Sequence, residues 1–473
     1  MAAEYAIPHF IDGRDSPSSL TFPVRSPTTG EVVHNCCTAS SAHIDLALAS
    51  CAYAFKTWRT VTPSKKRDIF LKTAAVMEAR TEELSGYMQT ETGATAGWAA
   101  FNLNLAINIL KDVAGRISSV AGSIPTTGEE GVSALVYKEP YGTILAIAPW
   151  NAPYILGVRS IAYALAAGNT CILKAPELCP RVSWAIVSCF HEAGLPAGAL
   201  NFLAHSSKDA ARVTKTLIES PIIKKINFTG STNVGRIIAE LAGRNLKPVL
   251  LELGGKAPAI VWEDADLSLA AVECAKGAFL NSGQICMSTE RIVVHAKVVD
   301  AFEKEFKEAV SKIFPDAGVL INAAAVEKNK KLVADAVSKG ASLVLGDQNA
   351  QEDQPTMMKP VIVRGTTTDM DLYYTESFGP TVSIVVVNEF SEALKVANDT
   401  EYGLSSAVFT RDLATGLKFA KGIESGAVHI NSMSVHDETA LPHGGMKASG
   451  FGRFSGSSGI EEWLRTKTVT FRD

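Results

Sequence analysis

A strand runs into a glycine turn and a helix in the stretch KINFTGSTNVG, which spans Lys225–Gly235. The segment 225–228 predicts a strand that leads into Gly230, and Gly230 and Gly235 flank the start of the helix. Such a turn exposes backbone N–H groups at a helix N-terminus, where a pyrophosphate can bind. Two glycines at this spacing also occur in ordinary strand-to-helix turns, so the stretch establishes a βα unit and leaves the phosphate site open.

Strands and helices alternate on both sides of that stretch. Before it, the periodicity predicts strands at 143–149, 170–174 and 200–203 and helices at 153–167 and 183–193. After it, a second series follows at 259–262, 267–280, 291–295, 300–312, 381–387 and 427–430. Repeated βα units imply mostly parallel sheets with helices on both faces. The glycine pair within Leu253–Lys256 marks the break between two α/β domains.

The composition is typical of a folded protein with more than one core. The chain has 473 residues, of which 47% are hydrophobic and 20% are charged, with both charge signs interspersed. A formal net charge of -4 supplies no basic field for a nucleic-acid backbone, which excludes that class of partner.

Targeting and cysteine patterns predict a cytoplasmic protein. The N-terminus lacks the basic and apolar regions of a signal peptide and the Arg-rich pattern of a transit peptide. No run of 18 uninterrupted apolar residues occurs, so we expect no membrane span. The eight cysteines form no CxxC pair, and the sequence therefore predicts neither a metal site nor a disulfide framework.

One cysteine, Cys286, lies in a setting that favours chemistry. The segment Asn281–Arg291 is a polar, glycine-containing loop after an apolar helix, where a thiol can be accessible near helix termini. Because most cysteines are simply buried small hydrophobic residues, a catalytic interpretation needs support from other parts of the chain.

Two polar residues at strand ends supply that support. Glu252 follows the apolar run 248–251, at the strand end where a doubly wound sheet forms its crevice. A carboxylate there suits a general base, and we expect burial to raise its pKa; the alternative is a surface salt bridge. Asn151 follows the apolar run 144–150, and its amide suits an oxyanion donor, with a helix cap as the alternative.

The combined motifs resemble those of the aldehyde dehydrogenase superfamily, in the family's order, from about Phe10 to Thr468. The matching segments are PWN at 149–151, KAPE at 174–177, FTGS at 228–231, LELGGK at 251–256, GQIC at 283–286, ESFGP at 376–380 and PHGGMKASG at 442–450. The resemblance implies NAD-dependent oxidation of an aldehyde to its carboxylic acid through a cysteine thioester.

The resemblance also implies a role for each matched residue. By this resemblance, Cys286 corresponds to the family's nucleophile. Its backbone N–H and the Asn151 amide correspond to the oxyanion hole, and Glu252 corresponds to the base that activates the deacylating water. The implied NAD contacts are Lys174 and Glu177 at the adenosine ribose, Ser231 at the pyrophosphate, and Trp150, Glu376 and Phe378 at the nicotinamide end, with Phe228, Gly230 and Gly235 completing the set.

A further likeness is to the salicylaldehyde and related aromatic aldehyde dehydrogenases. It rests on ETGATAGW at 91–98 and on VRSIAY at 158–163. We expect Trp98 to stack on the ring of the substrate and Arg159 to meet its polar substituent. The alternatives are that Trp98 belongs to the core and that Arg159 pairs with a carboxylate such as Asp437 or Glu438.

The helix that follows the PWN motif is expected to shape the substrate pocket. Ile155 and Arg159 fall on the face that reaches toward the aldehyde, whereas Leu156 falls off that face. Ala152 leaves space where many relatives carry a bulky aromatic residue. Ser160 stands where many family members carry Lys, so the hydrolytic water must be managed without that amine.

Family architecture implies a Rossmann-like NAD-binding domain at 1–121 and 142–251, an α/β catalytic domain at 252–450, and a small β bridging element at 122–141 and 451–473. Within that element, alternating patterns at 134–139 and 466–471 predict strands that pair between subunits. The sequence therefore predicts a homodimer or a homotetramer.

Other activities stay open as alternatives. A CoA-acylating relative transfers the acyl group to a thiol and needs no carboxylate to activate water, so Glu252 argues against it. An aliphatic or semialdehyde dehydrogenase would share the catalytic residues and differ in its substrate pocket. A non-catalytic binding or structural relative would have no need of Asn151, Glu252 and Cys286 together.

Overall fold

A computed structural model describes residues 6–472, which form two large sheets covered by helices. The first sheet has a parallel centre, whose strands lie in the spatial order Val249–Glu252, Ile223–Thr229, Thr143–Ile147, Thr170–Lys174 and Leu200–Leu203. Antiparallel strands close its two edges, with Gly450–Phe451 at one and His9–Ile11 and Arg14–Ser16 at the other. The strand order reverses beside Thr143–Ile147, and this switch point opens a crevice at the carboxyl ends of the strands.

The second sheet repeats the arrangement with a different strand order. Its parallel strands are Val361–Arg364, Thr381–Val387, Thr289–His295, Ala257–Val261, Ala407–Phe409 and His429–Ile430, with Ser342–Leu345 antiparallel at one edge. The chain passes from the first sheet to the second between Glu252 and Ala257, at the glycine pair that the sequence analysis identified. The predicted α/β class is confirmed.

Helices pack on these sheets through apolar stripes. Those associated with the first sheet are Ser41–Trp58, Pro63–Ala79, Thr81–Thr92, Ala96–Arg116, Pro153–Ala166, Pro180–Glu192, Ala210–Glu219 and Thr232–Arg244. The helices that come later in the chain are Leu267–Phe279, Val299–Ile313, Ala323–Ser338, Asp371–Tyr374, Phe390–Asn398, Leu413–Gly422 and Gly456–Glu461. Between Ala6 and Arg472, no helix combines the length and apolarity that a membrane crossing requires.

The helix Pro153–Ala166 is central because every one of its positions is buried. Proline at its first turn sets the backbone angle at which a helix begins and lacks the N–H that would be unsatisfied there. Residues 148–152 connect the strand Thr143–Ile147 to this helix. The helix therefore holds that short segment at the edge of the crevice.

A two-stranded ribbon, formed by Val132–Pro140 and Leu464–Arg472, makes up the predicted bridging element. The two strands pair antiparallel with each other along their whole length. The expected pairing of these strands between subunits stays a prediction. A correction concerns Phe451, which was assigned to this element and instead pairs with Leu251 at the edge of the first sheet.

Candidate active site

Cys286 lies on a strained loop at the start of the second sheet. Asn281 and Ser282 have φ angles of 48° and 57°, a left-handed conformation that non-glycine residues rarely adopt. At Gly283, with φ of 70°, an added Cβ would lie 2.1 Å from a backbone carbonyl oxygen. The side chain of Gln284 then ties the loop down, since it donates to two backbone carbonyls and accepts one backbone N–H. These contacts hold the strained loop that presents the thiol.

Asn151 is fixed across the crevice from that loop. Its Nδ2 donates to the backbone carbonyl of Gln284 at 2.9 Å, and its own carbonyl accepts from the indole N–H of Trp98 at 3.1 Å. The following helix has Ala152 as its N-cap, so the interpretation of Asn151 as a helix cap is wrong. Because a primary amide carries two N–H groups, the second one of Asn151 can serve an oxyanion.

Glu252 ends its strand beside the thiol and is only 1% exposed. Its Oε1 lies 3.5 Å from the Sγ of Cys286, which donates to it, and 3.2 Å from Nε2 of His443. Its Oε2 lies 3.8 Å from a terminal nitrogen of Arg159. The alternative in which Glu252 is a surface residue is therefore wrong, and the three charged or titratable partners set its chemistry.

Those partners reverse the expected pKa of Glu252. Burial by itself opposes ionisation, but the facing His443 and Arg159 outweigh it, so the pKa of Glu252 is lowered. The expectation that burial would raise this pKa is wrong because the sequence does not place those two side chains. By contrast, burial and the neighbouring carboxylates of Glu252 and Glu376 raise the pKa of the Cys286 thiol. The site thus pairs an ionised carboxylate with a neutral thiol that donates to it.

Arg159 is buried in a network of opposite charges. Its guanidinium forms an ion pair with Asp437, as the sequence alternative anticipated, and its Cζ lies 5.6 Å from the ring centre of Phe454. Sequence reasoning missed His443, which is 191 residues from Glu252 in the chain. Its motif, PHGGMKASG at 442–450, was matched as a whole, and no role was assigned to the histidine within it.

A cavity of about 250 Å³ brings the predicted catalytic and cofactor residues together. It is lined by Pro149, Trp150, Asn151, Leu156, Thr229, Gly230, Ser231, Glu252, Leu253, Gly254, Cys286, Lys328, Glu376 and Phe378. The sequence analysis placed Ile155 of the helix Pro153–Ala166 toward the aldehyde and Leu156 off that face. This needs a correction, because Leu156 lines the cavity and the buried Ile155 does not. Lys328 was also missed, since an exposed lysine of a helix gives no signal of a site.

Glu376 and Phe378 occupy a turn on one side of this cavity. Glu376 accepts the backbone N–H of Gly255 at 2.8 Å. Burial and the nearby Glu290 raise the pKa of Glu376 to about 7. Phe378, with φ of 48°, packs edge-to-face on Trp150 at a centroid distance of 5.8 Å. A carboxylate and an aromatic edge at this place fit the predicted ribose and nicotinamide contacts.

A buried ion pair holds that turn in position. Glu290 accepts the backbone N–H groups of Ser377 and Phe378, and its carboxylate lies 2.5 Å from the Nζ of Lys256. Lys256 also donates to the carbonyl of Thr375 at 2.8 Å. The two charged side chains therefore hold the turn at both ends. The sequence analysis assigned no role to either residue.

A second cavity, of about 510 Å³, lies between the helices Ala210–Glu219 and Thr232–Arg244. Its lining is mainly apolar and includes Phe228 and the side chain of Lys174. Burial lowers the pKa of Lys174 to about 8, against the opposing effect of Glu177. An apolar slot with a lysine at its edge suits an adenosine group.

The predicted pyrophosphate turn connects the two cavities. Ser231 is the N-cap of the helix Thr232–Arg244 and accepts the N–H of Val234. A Cβ at Gly230 would lie 2.6 Å from the ring of Phe228, and one at Gly235 would lie 2.5 Å from a neighbouring leucine side chain. Both glycines are thus required for close packing, and the helix N-terminus remains open to an anion.

Trp98 lies next to the catalytic residues rather than in the lining of the cavity. It is 8% exposed, donates to the carbonyl of Asn151, and stacks on Phe101 at 5.3 Å. The interpretation of Trp98 as a core residue is therefore correct. Its hydrogen bond to Asn151 also connects it to the active site. Ala152 is also buried.

Comparisons with known proteins agree with this geometry. The model of the aldehyde dehydrogenase family matches residues 14–469. The chain is 43% identical to a vanillin dehydrogenase of Pseudomonas fluorescens, with 99% of this chain and 98% of the relative covered. It is 39% identical to a salicylaldehyde dehydrogenase of Pseudomonas putida, with 96% and 95% covered.

A solved structure shows the same likeness in three dimensions. The crystal structure of a salicylaldehyde dehydrogenase from Pseudomonas putida G7, complexed with salicylaldehyde, matches with a TM-score of 0.95. The two proteins are 38% identical, and the match covers 98% of each chain. The family match over nearly the whole chain, together with the thiol, carboxylate and amide in one cavity, establishes that this chain belongs to the aldehyde dehydrogenase family.

Proposed function

We propose that the protein uses NAD to oxidise small aromatic aldehydes that carry a ring hydroxyl, such as salicylaldehyde, to carboxylic acids. The observation that carries this proposal is the convergence of Cys286, Glu252 and Asn151 in one cavity with Glu376 and Phe378. This arrangement places a nucleophile, a base and an oxyanion donor beside a cofactor cleft.

In this proposal, the chemistry begins with the contact between Cys286 and Glu252. The carboxylate orients the thiol by accepting its hydrogen bond. The sulfur, once its proton has passed to solvent, adds to the aldehyde carbon while Asn151 and the backbone N–H of Cys286 hold the oxyanion. NAD held beside Glu376 and Phe378 would supply the hydride acceptor for the oxidation of this adduct to a thioester. Glu252 then removes a proton from water, which hydrolyses the thioester and frees the acid.

We propose NAD rather than NADP as the preferred cofactor. The cleft offers a pair of side chains, Lys174 and Glu177, at its adenosine end. A carboxylate near the ribose accepts a hydrogen bond from a 2′-hydroxyl and repels a 2′-phosphate. Lys174 weakens that repulsion, because its pKa of about 8 keeps much of it charged at neutral pH.

The proposed substrate class rests on buried polar atoms near the thiol. Within the described part of the chain, Arg159 Nε and Asp437 Oδ1 are buried and have no hydrogen-bond partner. One is a donor and the other an acceptor, which is the combination that a phenolic hydroxyl satisfies. The relatives that are vanillin and salicylaldehyde dehydrogenases favour the same class.

The charge balance argues against a semialdehyde with a free carboxylate. Such a substrate needs a cation that is free to pair with it. The charge of Arg159 is already offset by Asp437 and Glu252, both of which are ionised. Arg159 is therefore not free to pair with a carboxylate group of the substrate.

We further propose that the protein works as a homo-oligomer through its two-stranded ribbon. The strand Leu464–Arg472 is exposed at nearly every position, including Val469 and Phe471. A two-stranded ribbon is marginally stable alone, so cover from another copy would stabilise it. Light scattering at several concentrations distinguishes a monomer from a dimer or tetramer.

The decisive experiment combines two variants with an aldehyde panel. Cys286→Ala should abolish NADH formation and still bind NAD, whereas Cys274→Ala, at a buried cysteine that does not line the cavity, should keep turnover. Glu252→Gln should release about one NADH per site and then stall. In the wild-type protein, kcat/KM should be higher for hydroxybenzaldehydes than for propanal or succinate semialdehyde. Turnover by Cys286→Ala, or a preference for aliphatic aldehydes, would overturn the corresponding part of the proposal.

A further inference from the structure

We propose that His443 is a positioning residue for thioester hydrolysis, which holds the Glu252 carboxylate beside Cys286 and carries its proton to solvent. The inference rests on the proposed role of Glu252 as the base. Nε2 of His443 lies 3.2 Å from Oε1 of Glu252, the same oxygen that accepts from the thiol. A base that takes a proton in each turnover must lose it again before the next one.

Glu252 is too enclosed to lose that proton directly to solvent, and the groups that face it leave one acceptor. Arg159 is permanently charged and cannot accept a proton. Asp437 forms an ion pair with Arg159; although burial opposes its ionisation, Arg159 and His443 outweigh burial and lower its pKa, so it is a poor acceptor. Cys286 carries the acyl group at this stage. Among the described residues, His443 alone combines contact with Glu252 and a ring nitrogen that can accept a proton.

Ser160 does not offer another route. Its hydroxyl is buried and donates to the carbonyl of Gly157 at 2.8 Å, one turn earlier in its own helix. That bond keeps the hydroxyl within the helix, and no hydrogen bond joins it to Glu252 in the part of the chain between residues 6 and 472. The position therefore provides no proton carrier.

The backbone fixes the position of His443, and its side chain is slightly more exposed than that of Glu252. His443 and Phe454 exchange both backbone hydrogen bonds, at 2.9 and 2.8 Å. The side chain of His443 is 8% exposed, against 1% for Glu252, so it is the more solvent-accessible of the two groups. Burial, together with the nearby His436 and His443, lowers the pKa of His429 to about 4, so His429 stays neutral near His443.

The proton balance of the step is simple. Water gives a proton to the Glu252 carboxylate, and the resulting hydroxide bonds to the thioester carbon. The carbon–sulfur bond breaks, which releases the acid and returns the Cys286 thiolate. The Glu252 carboxyl passes its proton to the unprotonated Nε2 of His443, and the resulting imidazolium then loses a proton to solvent.

The experiment compares His443→Gln with His443→Ala. Glutamine keeps a polar side chain that cannot carry a proton, and alanine opens space for free imidazole. Rapid mixing with NAD and aldehyde gives the NADH burst, and the later rate reports hydrolysis. A matched control is His295→Gln. His295 ends a strand of the second sheet, and its ring bonds to the backbone carbonyl of Asn388.

Both variants should keep a full burst, with a steady rate lowered about 10- to 100-fold. Imidazole should restore His443→Ala but not His443→Gln, and the control should behave as wild type. Because His443 lowers the pKa of Glu252, its removal should shift the acidic limb of the steady-state rate to higher pH. If the acidic limb of the pH profile did not shift, and only KM or the thermal stability changed, the inference would be overturned. His443 would then only line the pocket.

The reference variant Glu252→Gln separates this inference from the proposal on which it rests. Normal steady turnover in Glu252→Gln would reject Glu252 as the base. A stall in Glu252→Gln, with normal turnover and no imidazole effect in the His443 variants, would reject only the role of His443. Loss of the burst in either His443 variant would place His443 in acylation and also reject the inference.

Discussion

Replacing Glu290 by Gln should loosen the turn that carries Glu376 and Phe378. Glu290 is the ion-pair partner of Lys256, whose side chain is fully buried, and it accepts two backbone N–H groups of the turn. Removing one partner of a buried pair typically costs about 3–5 kcal/mol, because the remaining charge has no compensation. Gln can keep an acceptor for the turn, so most of this loss should come from Lys256.

Two measurements should detect the change. Urea unfolding of Glu290→Gln should show a stability loss of about 3–5 kcal/mol. NAD titration should show a Kd raised about tenfold, or about 1.4 kcal/mol, since the loosened turn must be ordered on binding. The double variant with Lys256→Met should regain much of the stability, because it also removes the uncompensated charge.

The exposed pair of Glu263 and Lys297 provides a control. Glu263→Gln breaks an ion pair as well, but water screens both charges, so unfolding and NAD binding should be nearly unchanged. The reasoning would be refuted if Glu290→Gln lost less than about 1 kcal/mol. It would also fail if the double variant were as unstable as Glu290→Gln alone.

Further expectations concern the cofactor cleft and the oxyanion donor. Because the pKa of Glu376 is raised to about 7, its carboxylate forms as the pH rises, and NAD should bind more tightly at about pH 8 than at about pH 6, as measured by titration. Glu177→Gln should narrow the difference in kcat/KM between NAD and NADP, and no change would remove the argument from repulsion. Trp98→Phe removes the donor to the Asn151 carbonyl, and kcat/KM should fall up to about tenfold, equally for benzaldehyde and propanal; a loss confined to benzaldehyde would indicate ring stacking instead.

The sequence by itself determined the α/β class and the residues that react. Strands such as 170–174 and 200–203 were predicted at their observed bounds, because short apolar runs between turns carry a local signal. Cys286, Glu252 and Asn151 follow strands or loops whose ends must meet at the crevice of a doubly wound sheet. The topology rule therefore placed them together without any coordinates.

Only the tertiary structure decided the electrostatics around Glu252. Its partners Arg159 and His443 come from distant parts of the chain, and their approach reverses the pKa direction that burial alone implies. Local patterns also misplaced Ile155 relative to Leu156, since helical spacing gives a face but not the cavity that the face meets. Contacts between remote segments depend on the packing of the whole fold, and Coulomb interactions depend on the distances which that packing sets.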